Sequence, residues 1–560
     1  MEGLGEVLEM FKNCFPLSFL FFVPIFIIIS PVSPVTAAHD FAIYRMQQFD
    51  HYETKIGSKM SLINMEARPL DAKMVTRRCI LTRLKEMTGA KYRELVEQKA
   101  GALLILLPQH LASMPEQMKQ HLQTLEQELL GAEDSSVPVY FAWESDTLLQ
   151  IYNSVTASSG DDAATAVEAL LSSASANGYQ MVQGGSVAKA LTDFQITNIQ
   201  GHLAGYGIEE QLPTIAIVTH YDAFGVAPSL STGADSNGSG VVALLELARI
   251  FSKLYTNSRT HAKYNLVFLL SGAGKFNYIG SKKWIEDSLE NAESTLLSDI
   301  SYVLCLDTIG REDNLRLHVS KPPKEETPAW EFLQHLESVI ATFYPSVSFS
   351  LVHKKINLAD EILAWEHERF SMKRLPAFTL SHLETPKSLE RTTILDTRAN
   401  VDEKVLVRNI RIIAESLARH VYNLTSAGNV QLFSDTLDVQ QELVSAWLDH
   451  LTSQPRAAQL VPRDASLLST LEDMMSRYLK DVKRTTVKTD KRDPEFLFYD
   501  GSEYMMNAFN VKPAVFDLFL AVAIGGYLAA IYFLVQNFHI MLALFVKFTH
   551  RSSAKTTKAN

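Results

Sequence analysis

Three short apolar runs, residues 214–219, 266–270 and 302–306, each end in a polar or glycine-rich turn, and they constrain the fold more than anything else in the chain. Short runs of this kind bounded by turn residues read as buried strands. Between the first two runs, Val241, Leu244, Leu245, Ala248, Phe251 and Leu254 recur at the spacing of one helical face, which predicts a helix over 241–254. Strands alternating with helices predict an α/β domain, placed at residues 175–430. In such sheets ligands bind beyond the carboxyl ends of the strands.

The chain has 560 residues, enough for two or three domains. Its net charge of −11 argues against direct nucleic-acid binding. Residues 39–174 read as a small N-terminal α/β lobe, with buried strands at 102–107 and 137–142 and a helix at 116–130 between them. Residues 154–175, rich in Ser, Ala and Asp, read as a linker or exposed helix. Residues 431–512 read as a helical, membrane-proximal segment. The charged run at 480–492 within it reads as a solvated helix face and loop, with contact to lipid headgroups or a partner as the alternative.

Both ends are hydrophobic. Residues 15–29 are apolar but hold Pro24, and Thr36, Ala37 and Ala38 follow. That pattern predicts a secretory signal over 1–38, cleaved or retained as an anchor. Residues 513–546 predict one transmembrane helix with an amphipathic extension. Lys547, Arg551, Lys555 and Lys558 then form a basic tail over 547–560. Basic residues favour the cytosolic side, so the expectation is a single-pass type I protein in the lipid bilayer with a lumenal domain. Sequons occur at Asn237 and Asn423. Asn423 follows a helical pattern and is the expected glycosylation site, whereas Asn237 sits in a glycine-rich loop and is expected to stay unmodified. Cys14 falls in the signal, leaving Cys79 and Cys305 either as one disulfide or as two inert buried thiols.

The chemistry-bearing residues gather where the strands end. The first strand runs into His220-Tyr-Asp222, then Gly233-Ala-Asp235-Ser-Asn-Gly-Ser-Gly240 opens the helix. The second runs into Gly274-Lys275 ahead of Gly280-Ser281, and the third ends in Asp307. Trp365-Glu-His367 and an apolar run ending at Leu380 follow. Taken singly, a His-x-Asp is most often an ordinary hydrogen-bonded pair. In this order the series resembles the co-catalytic zinc aminopeptidase superfamily, which also contains the transferrin receptor and nicastrin. The resemblance spans roughly residues 175–425 and implies a mixed sheet flanked by helices.

It also implies roles. Two zinc ions would share a bridging carboxylate and together activate a water. Asp235 matches that bridge, His220 and Asp307 the other ligands of one metal, His367 the histidine of the second, and Asp222 the carboxylate that orients His220. The departure is the family's acidic pair. Counting back from Gly280-Ser281 places it at Gly274-Lys275. Gly274 removes the general base, and Lys275 puts a cation where a zinc ligand should be. A unit charge about 4 Å from a dication is repelled by about 8 kcal/mol at an effective dielectric of 20. Lys275 and a metal at that site therefore exclude each other, and the ammonium is expected to pair with Asp235.

The expectation is a pseudo-peptidase without cofactor; a residual zinc on His220, Asp235 and Asp307 is the remaining alternative. Stretches such as His220-Tyr-Asp-Ala-Phe-Gly and Ala364-Trp-Glu-His-Glu-Arg-Phe370 resemble the nicastrin-like branch. That resemblance implies a scaffold in a membrane complex of the endoplasmic reticulum. Its partners would be the Nodal-modulator protein, a small multi-pass membrane protein and the ribosome–translocon machinery for multi-pass proteins. A receptor for peptides or amino termini in the old cleft is the second reading, and a single-zinc peptidase the third.

Overall fold

The computed structural model describes residues 39–540 and 543, apart from 53, 60–61, 132–134, 158–177, 186, 291–298, 425–429, 489–493 and 512–513. The expected signal, most of the linker and the basic tail lie outside the described residues.

The N-terminal lobe supplies β1 (His39–Arg45), β2 (Gln48–His51), β3 (Thr54–Gly57), β4 (Asn64–Pro69), β5 (Cys79–Arg83), β6 (Ala102–Leu107) and β7 (Val139–Trp143). β6 is buried along its whole length, as its unbroken apolar run requires. The helix Glu116–Leu130 connects it to β7. Five of these strands do not close by themselves. β8 (Gly178–Gly184) and β18 (Glu503–Val511) complete a barrel in the order β1-β18-β8-β4-β5-β6-β7. One apolar cluster takes side chains from every barrel strand, among them Ile43, Ala67, Leu104, Tyr140, Met181 and Met506, and is covered by the helix Asp146–Ala157.

The second body is a mixed eight-stranded sheet. Its strands are β9 (Gln195–Leu203), β10 (Thr214–His220), β11 (Asn265–Ser271), β12 (Ile300–Leu306), β13 (Asn314–Val319), β14 (Ser348–His353), β15 (Ala377–Ser381) and β16 (Lys480–Lys488). They are ordered β14-β13-β15-β12-β10-β11-β9-β16. β10, β11, β12 and β15 run parallel, so their carboxyl ends open on one side. The helix Gly240–Thr256, with Val241, Leu244 and Ala248 buried, packs on one face with Pro328–Phe343, Glu403–Val421 and Ser466–Tyr478. Trp284, Ile285 and Phe370 cover the other face.

The C-terminal segment departs from expectation. It is helical at Gln441–Thr452 and Ser466–Tyr478, but then it forms strands. The expected charged helix face at 480–492 begins as β16, pairing with β9 at the sheet edge; alternating Thr485, Val487 and charged residues suit a half-buried strand. β17 (Phe496–Phe498) joins β2 and β3 in a three-stranded sheet, and β18 closes the barrel. The segment staples lobe to sheet and is helical only in its first half.

The expected transmembrane helix is also corrected. The helix Ala514–Gln536 forms, yet among the described residues no helix is long and apolar enough to cross a membrane. The helix ends at Gln536, a turn follows at Asn537 and helix resumes over 538–540; the rest of the expected extension, residue 543 apart, lies outside the described residues. Single-pass type I placement, with a lumenal domain and cytosolic tail, loses its structural basis accordingly. Cys79 and Cys305 are both free and buried, in the barrel and the sheet.

Candidate functional site

The turns after β10, β11, β12 and β15 meet in one buried polar cluster. The glycine-rich loop shapes its floor. Gly233 has φ +61°, and a Cβ there would lie 2.5 Å from that of Ala223, so only glycine lets the loop turn here. Two distant segments fix this loop. Asp396 accepts from the backbone N–H groups of Asp235 (3.0 Å) and Ser236 (2.7 Å). Arg456, fully buried, donates to the carbonyls of Tyr221, Thr232 and Gly233. Asn237 is also fully buried: it donates to the Leu306 carbonyl at 2.8 Å and accepts from the Thr308 N–H at 3.1 Å. No glycan could be carried by such an amide, whereas Asn423 is exposed.

Each carboxylate at a ligand position is already engaged. Asp235 Oδ1 accepts from the Gly310 N–H at 2.7 Å. Its Oδ2 lies 3.0 Å from His382 Nε2 and 3.6 Å from Arg311 Nε. Burial alone would raise the Asp235 pKa, but His382 and Arg311 outweigh it and lower it. In return, burial would lower the His382 pKa, and the Asp235 carboxylate raises it above the ordinary imidazole value. Asp307 Oδ2 pairs with Arg391 Nη2 at 2.5 Å. Burial opposes its charge, yet Arg391, Lys275 and His220 hold it well below the usual carboxylate range. Arg391 also donates to Tyr278 Oη at 2.9 Å and lies over the Trp365 ring at 4.6 Å.

The residues at the acidic pair do different work. Asp222 does not reach the His220 ring; it accepts from the backbone N–H groups of Gly274 (2.7 Å) and Lys275 (3.0 Å), pinning that turn. His220 Nδ1 instead faces Glu366 at 3.4 Å. A Cβ on Gly274 would fall 2.3 Å from His220 Cβ, so this position admits no side chain. Lys275 Nζ donates to Ser236 Oγ, not to Asp235 as expected. Burial, then Arg391, push its pKa down to about 8, against the pull of Asp307, Asp222 and Asp396.

Zinc does not fit this arrangement. A metal needs free lone pairs in an anionic cage. Here Asp307 faces a guanidinium, Asp235 faces His382 and Arg311, and Lys275 adds a further cation. Among the described residues no group of three or more His, Cys, Asp or Glu is arranged to hold a metal ion, and that includes His220, Asp235 and Asp307. One feature leans the other way: His220 Nε2 is buried without a hydrogen-bond partner.

The structure brings His220, Asp222, Asp235, Gly274, Lys275 and Asp307 together. His367 stands apart, its Nδ1 2.8 Å from Thr379 Oγ1, and burial holds its pKa down at about 3. The histidine that meets Asp235 is His382, which sequence reasoning missed. Its signal was position, directly after a buried strand, much as His220 is the last residue of β10. Glu366 was missed beside His367, although it accepts from Ser271 Oγ at 2.7 Å at full burial. Arg391 and Asp396 lie in a connection with no periodic pattern to mark them.

The profile of peptidase family M28 matches residues 198–416, the stretch that holds the cluster. Mouse "BOS complex subunit NCLN" is 52% identical over 550 residues, covering 97% of each chain. The zebrafish protein of the same name is 50% identical over 561 residues, 96% of this chain and 97% of that one. "Nicalin" of Caenorhabditis elegans is 32% identical over 521 residues, 89% and 90% of the two chains. Among solved structures, the gamma-secretase component nicastrin superposes with a TM-score of 0.58, covering 84% of this chain and 99% of that one. At 12% identity this shows a shared fold alone.

Proposed function

The chain belongs to the nicalin family, and we propose that it is a non-catalytic scaffold subunit of an assembly such as the BOS complex for which its mouse relative is named. In this reading the assembly serves the biogenesis of multi-pass membrane proteins. Its other members would be the Nodal-modulator protein and a small multi-pass membrane protein, working beside the ribosome–translocon machinery. The observation that carries the non-catalytic part is the internal pairing of the cluster. Arg391 and Lys275 neutralise Asp307, and His220 packs where a general base would stand. General-base catalysis needs a group within hydrogen-bond reach of a water, which Gly274 cannot supply.

Two measurements on the full chain test this. Native pull-down should recover the proposed partners with the wild type and equally with Lys275→Gln. Aminoacyl reporters should be hydrolysed no faster than in buffer, with zinc well below one per chain. Zinc-dependent turnover would sink the scaffold reading, as would a pull-down without those partners.

A further inference from the structure

Beside the buried cluster lies an open cleft, a cavity of about 300 Å³, that the scaffold role does not use. One wall is aromatic. Phe49, Phe276 and Phe496 pack with ring centroids 5.3–6.1 Å apart, and Phe224 sits 5.5 Å from Phe276. The opposite lining is charged: Lys275 and Arg391 line the inner part, while Lys354 and Lys387 are exposed at the mouth. Against these four cations the lining holds one acid, Asp360. This local excess stands out in a chain of net charge −11.

Nearby acids compensate only part of it. Asp307 is taken by Arg391, Asp222 by two backbone N–H groups and Glu368 by the Ala364 N–H. Arg391 is nine-tenths buried; its Nη1 donates to the Ala364 and Pro386 carbonyls and its Nη2 to Tyr278 and Asp307, so it adds positive potential to the cleft floor but no free donor at either Nη. Lys275 has the Ser236 hydroxyl as its close acceptor, not a carboxylate. An aminopeptidase cleft must attract a free amine. This one presents ammonium groups to its occupant.

We propose that the cleft binds the carboxyl terminus of a peptide, its terminal carboxylate on Lys275 in the field of Arg391 and an apolar last side chain on the Phe49–Phe276–Phe496 wall. The volume suits one or two residues, at the lower end of ordinary ligand pockets of about 300–1,000 Å³. Charge-assisted bonds to part-buried cations would set the polarity, and the aromatic wall would select the side chain. The site is independent of partner recovery, so its failure leaves the scaffold reading untouched.

The test titrates the purified full chain with a fluorescent hexapeptide ending in Ala-Phe, acetylated at its amino end. Its C-terminal amide and a free-amine version carrying that amide serve as controls. The free acid should bind at least about tenfold more tightly than either. Lys275→Met should abolish that preference, and Lys354→Ala with Lys387→Ala should weaken acid binding about two- to threefold. Equal binding of acid and amide, tighter binding of the free amine, or no binding by the wild type would overturn the proposal. If Lys275→Met fails to fold, the acid-to-amide ratio of the wild type and the mouth variants decide.

Discussion

The two halves of the strand-end cluster have met the loss of metal chemistry differently. Around Asp307 the compensating charges are Arg391 and Lys275. A guanidinium is protonated at any accessible pH, so this half is locked. Around Asp235 the close partner is His382, an imidazole whose charge depends on its neighbour, with Arg311 further away. One carboxylate thus sits in a permanent ion pair, the other in a titratable one. The comparison teaches that a metal site can be vacated by two routes: supplying cations from a loop, or letting an old ligand type carry a proton where a metal would bind.

Breaking the locked half should have the largest effect. Asp307→Asn leaves the Arg391 guanidinium buried without its anion, and removing one member of a buried pair costs about 3–5 kcal/mol. Denaturant unfolding should show that loss, and a cost under about 1 kcal/mol would mean the pair is solvated. Next comes Gly274→Ala. Its Cβ would meet His220 at 2.3 Å, and forced overpacking costs about 1–3 kcal/mol. For the same reason Gly274→Glu with Lys275→Glu should restore no hydrolysis of aminoacyl reporters. Hydrolysis by this double variant would show that His220 and the Asp307–Arg391 pair give way to a restored acidic pair.

Lys275 gives a smaller, pH-dependent signal. Its folded pKa of about 8 lies below the ordinary 10.5, so between those values the unfolded chain holds more protons. Stability should therefore rise with pH in that window, by at most about 1.4 kcal/mol per pH unit. Measured from pH 8 to 9.5 against Lys275→Met, the wild type should gain stability relative to the variant. A flat difference would mean that Lys275 keeps its ordinary pKa.

How far the sequence reaches follows the same physical divide. Apolar periodicity located the strands to within two residues: 214–219, 266–270 and 302–306 became β10, β11 and β12. The lobe helix 116–130 and β6 also appear at the expected bounds. These elements form because burying their apolar side chains dominates locally. What the pattern could not carry is contact between distant segments. β18 lies more than 450 residues from its neighbour β1, and its alternation resembles any exposed strand. Arg391, Asp396 and Arg456 reach the cluster from irregular connections, where spacing encodes nothing. His367 was chosen as the match to the family's second-metal histidine, but its ring faces Thr379, and the histidine that meets Asp235 is His382.

The titratable half supplies the subtlest prediction, and its sign follows from the two shifts. His382 is raised above its ordinary 6.5, so its contribution is complete below that value and fades as pH rises through the folded pKa. Asp235 is lowered below its ordinary 3.8, so its contribution holds above that value and fades as pH falls through the folded pKa. The pair therefore stabilises most between about pH 4 and 6.5. His382→Gln keeps an amide donor for Asp235 without a titrating group. Relative to that variant the wild type should lose stability as pH rises above 6.5. The Asp307 side should add no step of its own in that window, because neither Asp307 nor Arg391 exchanges a proton near neutrality. Equal pH profiles for wild type and His382→Gln would mean that Arg311 alone holds Asp235, and the two halves would then be locked alike.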